Sequence, residues 1–166
     1  GGYDIVVLQD NSMRPVEYPD STLYFIRLFS DLIKSKGAKP VLYMTWARKR
    51  VPQYQEQITS VYSKAARENN IGIVPVGAAW ETARQIRPDV ELFVSDGSHS
   101  NELGTFLNAC MFASFLSGQV PKKLPNGYII KDCYGETVQL MYIDPLDIVF
   151  CLKITESILA QYGQKK

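Results

Sequence analysis

Asp4-Ile5-Val6-Val7-Leu8 is a short, nearly continuous β-branched run. A strand of that kind is buried on both faces, as in a parallel sheet. The polar stretch Gln9 to Pro19 reads as a loop, with Pro15 inside it. Asp20 or Ser21 can then cap a helix whose apolar positions include Leu23, Ile26, Phe29, Leu32 and Ile33, and Gly37 stops it.

Lys39-Pro40 leads into a second strand, Val41 to Met44, which ends at Thr45-Trp46. After Pro52 the pattern turns helical from Tyr54 to Asn69, with Ile58, Val61, Tyr62 and Ala65 on one face. Ile71 to Val76 is a third strand, and Ala78 to Arg87 a short helix carrying Trp80. Leu92-Phe93-Val94 delivers Asp96, and Ser100 can cap a helix from Asn101 to about Leu116. Strand–helix alternation implies right-handed crossovers and a parallel sheet with helices on its faces.

The later residues break this rhythm. Tyr128 to Lys131 and Thr137 to Ile143 read as strands joined through Asp132 to Glu136. Asp144 to Tyr162 reads as a terminal helix with Pro145 in its first turn. No linker splits the chain, so 1–166 is expected to be one domain, with 120–166 as a hairpin-and-helix extension.

In open α/β sheets, chemistry collects beyond the carboxyl ends of the strands. Here that edge holds Gln9–Pro15, Thr45–Arg50, Gly77–Trp80 and Ser95–Ser100. The last contains Asp96-Gly97-Ser98-His99, and His99 is the only histidine. A neutral imidazole with an acceptor fixing its tautomer is what acyl transfer needs as a general base. Asp96 would hold the Nδ1 proton and leave Nε2 free for a hydroxyl nucleophile. The plain alternative is a surface histidine in a turn.

Composition narrows the classes. The 166 residues suit a compact core, and the formal net charge is +1. Basic residues are scattered, Arg48-Lys49-Arg50 being the dense cluster, which disfavours a nucleic-acid surface. No apolar run approaches the roughly 20 residues of a membrane span. Cys110, Cys133 and Cys151 are too widely spaced for a zinc pattern or a disulfide framework, and no cofactor motif occurs. The chain opens directly on the first strand pattern, as a mature or trimmed form would. The compartment is open, with a secreted or periplasmic location compatible.

Asp96-Gly97-Ser98-His99, followed by Ser100, Gly104 and an apolar helix, resembles the last block of the SGNH (GDSL-type) hydrolases. Tyr3 to Gln9, Leu42 to Ala47 and Pro75 to Trp80 resemble one bacterial subgroup of that superfamily, in the same order and spacing. The resemblance covers about residues 3 to 118. It implies an α/β, flavodoxin-like, three-layer α/β/α fold with a parallel sheet. It also implies cofactor-free and metal-free hydrolysis of a carboxylic ester, often on an acylated carbohydrate or lipid. Asp96 and His99 carry over as orienter and general base of a Ser-His-Asp triad. Gln9 is the first choice for an oxyanion donor and Asn11 the second. Ser12, Arg14, Thr45 and Trp46 are pocket candidates, with Arg48 on the same edge.

The chain departs from the family in lacking Gly-Asp-Ser or Gly-Asn-Ser, the segment that carries the nucleophile. It is read as a fold truncated before its third strand, the serine lying outside. Such a sheet exposes an apolar edge that a missing segment or a second chain must cover. Two alternatives remain: Ser12 substitutes as nucleophile, or the protein is a catalytically silent binding module. A receiver-like domain using Asp10 as phosphoacceptor is a further, disfavoured reading, because no acidic pair for magnesium is evident.

Overall fold

The computed structural model describes residues 2–163; Gly1 and residues 164–166 of the expected domain lie outside them. The chain forms two compact units, Gly1–Thr82 and Ala83–Lys166. The fold is α/β, with a parallel sheet flanked by helices in the flavodoxin-like manner that the sequence implies.

The first unit holds strands β1 (Ile5–Leu8), β2 (Lys39–Tyr43) and β3 (Gly72–Val74), parallel and in the order β1-β2-β3. That order puts both crossovers on one face of the sheet. The crossover helices α2 (Pro19–Ser35) and α3 (Gln55–Asn69) accordingly pack against each other. Val41 and Leu42 of β2 are adjacent, so they point to opposite faces, and both are buried. Leu42, Met44, Ile58, Tyr62, Val74 and Trp80 are almost or fully inaccessible. Tyr43 has its phenol pushed up to about 12, first by burial and then by Tyr62.

The strands and long helices lie close to their expected positions; the departures sit at their ends. Arg14–Glu17 forms a short helix, α1, inside the expected loop. Neither Asp20 nor Ser21 caps α2. Tyr18 takes the N-cap position and Pro19 opens the helix, because a missing N–H costs nothing in a first turn. Gly37 follows α2 at φ +82°, a conformation that glycine adopts without strain. Gly77–Trp80 is not a loop. It belongs to α4 (Val76–Ile86), which is separated from Val74 by Pro75 alone.

In the second unit, α5 (Glu102–Ser117) is capped by Asn101, not by Ser100. The Asn101 side chain accepts the Gly104 N–H at 2.9 Å, while Ser100 pairs with the Thr105 hydroxyl at 2.9 Å. β4 (Gly127–Lys131) and β5 (Thr137–Tyr142) form the expected antiparallel hairpin. Its turn is built by Asp132, whose carboxylate accepts the N–H groups of Tyr134 and Glu136, both at 2.9 Å. Asp144 caps α6 (Pro145–Gln161) through the Leu146 N–H at 2.8 Å. Arg87 ties the end of α4 to α6 through Asp147 at 2.5 Å and lies 4.9 Å over the Phe150 ring. Cys110 and Cys151 are buried, and burial pushes each thiol up to about 12; Cys133 is exposed.

Candidate active site

Asp96 and His99 are built by a tight reverse turn. Phe93 and Ser100 pair in an antiparallel bridge, and the Val94 N–H donates to the His99 carbonyl at 2.9 Å. Gly97 sits at φ +66°, where a side chain would be strained. Asp96 Oδ1 accepts the N–H of Ser98 at 2.7 Å and of His99 at 3.0 Å. This fixes the carboxylate and leaves Oδ2 facing the ring, with His99 Nδ1 2.6 Å away.

These contacts hold the Asp96 carboxyl down at about 2, from an ordinary 3.8. The His99 ring contributes most, followed by the two backbone N–H groups. An ionised carboxylate only accepts, so the proton between the two groups belongs to Nδ1. In the neutral ring, Nε2 then carries a lone pair. The His99 side chain is 82% exposed, and Nε2 has no hydrogen-bond partner among the described residues. The site therefore presents a basic nitrogen to whatever approaches it.

The depressed pKa has a testable sign. The turn's carboxylate contacts are present above the ordinary carboxylate range and are lost as pH falls through about 2. A carbon-detected NMR titration should give the Asp96 carboxyl a midpoint near pH 2. His99→Ala should move it back up toward 3.8. An ordinary midpoint in the unsubstituted protein would show that the contact does not persist in solution.

The remaining candidates lie in the first unit. Gln9 follows β1, is exposed, and its amide makes no hydrogen bond among the described residues. Asn11 builds its own loop, its side-chain oxygen accepting the Met13 N–H at 2.9 Å. Asp10 is likewise engaged, accepting from Asn11 N–H at 2.7 Å and Thr22 Oγ1 at 3.1 Å. Ser12 Oγ accepts from Arg48 Nε at 3.4 Å, so the loops after β1 and β2 meet there. Arg14 lies 5.3 Å over the Tyr18 ring. Thr45 is buried, and Trp46 stacks on Trp80 with ring centroids 4.0 Å apart and planes 4° from parallel. Trp80 is buried in the core.

Sequence reasoning overlooked Gln55, which positions the loop after β2. Its side chain is buried, accepts the Ala47 N–H at 2.7 Å and donates to Thr59 Oγ1 at 3.2 Å. A polar residue on the buried face of α3 was the available signal. Among the described residues no three His, Cys, Asp or Glu side chains group closely enough to hold a metal, and no helix is long and apolar enough to cross a membrane.

No protein-family model matches the chain, and no curated protein matches it. Among solved structures it is similar to "a putative SGNH hydrolase" from Slackia heliotrinireducens. The TM-score is 0.58 at 24% identity, over 68% of this chain and 65% of that one. It is also similar to a DUF4886 family protein from Bacteroides uniformis ATCC 8492. There the TM-score is 0.72 at 18% identity, over 98% of this chain and 64% of that one. The chain thus spans just under two thirds of the length of both structures. The likeness gives it an SGNH-hydrolase-like fold.

Proposed function

We propose that this chain is the Asp–His part of a serine esterase of SGNH type, related to the bacterial subgroup its segments resemble. The substrate is a carboxylic ester, of an acylated carbohydrate or a lipid. The observation that carries this reading is the 2.6 Å contact from His99 Nδ1 to an oriented, ionised Asp96, with Nε2 left free. His99 Nε2 takes the proton of a serine hydroxyl as that oxygen attacks the ester carbonyl, then returns it to the leaving alcohol. The serine comes from outside the 166 residues, which contain no Gly-Asp-Ser or Gly-Asn-Ser.

Gln9 donates its amide N–H to the oxyanion of the tetrahedral intermediate. Support for this assignment is its uncommitted side chain. Ser12, Arg14, Thr45 and Trp46 belong to the pocket rim in this reading. Gln9→Ala should lower kcat for p-nitrophenyl acetate by about 100-fold with little change in KM. An unchanged kcat would transfer the role to Asn11.

The polypeptide as encoded should hydrolyse short-chain p-nitrophenyl esters and be labelled by a fluorophosphonate probe. The missing serine motif also supports a second reading, a binding module that keeps the fold without the reaction. Neither turnover nor labelling of the encoded polypeptide would favour that module and end the esterase reading.

A further inference from the structure

In the second unit, α5 and the β4–β5 hairpin border a cleft of about 320 Å³ whose lining is almost wholly apolar. One wall is a face of α5. Phe106, Ala109, Cys110 and Ala113 stand at i, i+3, i+4 and i+7, so they share one side of the helix. That wall runs about 10 Å along the helix axis. At one end the Phe106 ring meets Tyr128, with centroids 6.1 Å apart. Burial pushes the Cys110 thiol up to about 12, so this wall carries no charge.

The opposite wall depends on an irregularity in the hairpin. Leu140 and Met141 are consecutive, and successive residues of a regular strand point to opposite faces. Both nevertheless line the cleft. Tyr128 pairs with Met141 and Ile129 with Gln139, so Leu140 is an extra residue, a β-bulge. A bulge re-aims side chains, and this one brings a second large apolar group to the cleft. Leu140 is 52% exposed there, while Phe106 and Cys110 are each 3% exposed. The cleft thus has a buried floor and an open mouth.

The connection from α5 to β4 adds a third side and a charge. Pro121 and Leu124 line the cleft, and Lys122 and Lys123 stand between them in the chain. Both lysines are exposed, and neither is paired with an acidic group among the described residues. An apolar slot with a few charged groups at its border orients a guest that is apolar at one end and of opposite charge at the other. Volume agrees with a chain as guest. A cavity of about 150 Å³ already accepts benzene, and this one is larger.

We propose that this cleft binds the hydrocarbon tail of a free medium-chain carboxylate, with the ionised head at the mouth beside Lys122 and Lys123. The tail lies along the α5 wall from Phe106 to Ala113, and every methylene it brings there leaves water for an apolar surface. The proposal does not rest on the esterase reading. His99→Ala should bind the carboxylate as the unsubstituted protein does.

Calorimetric titration of the polypeptide as encoded with hexanoate, octanoate and decanoate, each below its micelle-forming concentration, tests it. Affinity should rise roughly fourfold per added methylene until the slot is filled. Ala113→Phe fills the slot from an exposed helix position. It should weaken decanoate at least about tenfold and leave thermal unfolding unchanged. Replacing Lys122 and Lys123 together by glutamine should weaken octanoate and leave 1-octanol unaffected. No saturable uptake of decanoate, affinity independent of chain length, or undiminished binding by Ala113→Phe overturns the proposal. So does binding to phosphatidylglycerol vesicles with none to the monomeric acids, which assigns the surface to a membrane. A dimer that Ala113→Phe dissociates, with no uptake of the acids, assigns it to a second copy.

Discussion

His99→Ala in the encoded polypeptide should reduce ester turnover by roughly 10⁴- to 10⁶-fold while leaving the fold intact. The ring is 82% exposed, so its removal takes almost no packing with it. Thermal unfolding should therefore barely move while activity disappears, separating a chemical role from a structural one. Asp96→Asn sharpens the test. The asparagine oxygen can still accept the Ser98 and His99 N–H groups, so the turn keeps its shape. Its NH₂ then faces Nδ1 and donates to it, which moves the ring proton to Nε2. A base protonated at its working nitrogen is the wrong tautomer, and the expected loss is about 10⁴-fold in kcat. Steady-state kinetics on p-nitrophenyl acetate would measure both. Unchanged turnover in His99→Ala would remove His99 from the chemistry, and unchanged turnover in Asp96→Asn would remove Asp96 as the group that sets its tautomer.

Gly77→Ala should be the most destabilising single-methyl change in the first unit. A Cβ there would lie 2.1 Å from the Thr45 carbonyl oxygen and 2.5 Å from Gln55 Nε2. Real Cβ atoms do not approach that closely, and the backbone has little room to yield. The Gly77 N–H is bonded to the Met44 carbonyl at 3.0 Å, and Gln55 is committed to Ala47 and Thr59. The expected cost is about 2–4 kcal/mol. Urea unfolding would read it, with Gly127→Ala as the control because nothing stands within 4 Å of a Cβ there. Equal midpoints for the two variants would show that the first turn of α4 does not press on the end of β2.

The elements were legible wherever apolar periodicity is strong. Val41 to Tyr43 and the amphipathic face of α3 announce themselves, because burial dictates their spacing. Ile5 to Leu8 is a strand as read but is not buried on both faces, since Ile5 and Val7 are exposed. Helix starts were less legible. Tyr18, Asn101 and Asp144 all stand at N-caps, yet Asp20, Ser21 and Ser100 looked equally suitable for two of those places. Local chemistry allows several caps within a turn, and tertiary packing picks one. The Asp96–His99 pair was visible through its spacing and its singular histidine. Gln55 was hidden because its partner, the Ala47 N–H, carries no sequence signature. The demand at Gly77 was hidden for the same reason: a close approach between backbones leaves no trace in either segment alone.

The stack of Trp46 on Trp80 has an optical consequence. The chain contains only these two tryptophans, so its entire indole emission comes from one face-to-face couple. One ring is anchored in the interior; the other rides on the segment that follows β2, beside Ala47 and Arg48. Any event that lifts that segment parts the couple and changes the spectrum, with no label added. The molecule thus carries an intrinsic gauge of whether the rim of its sheet is seated.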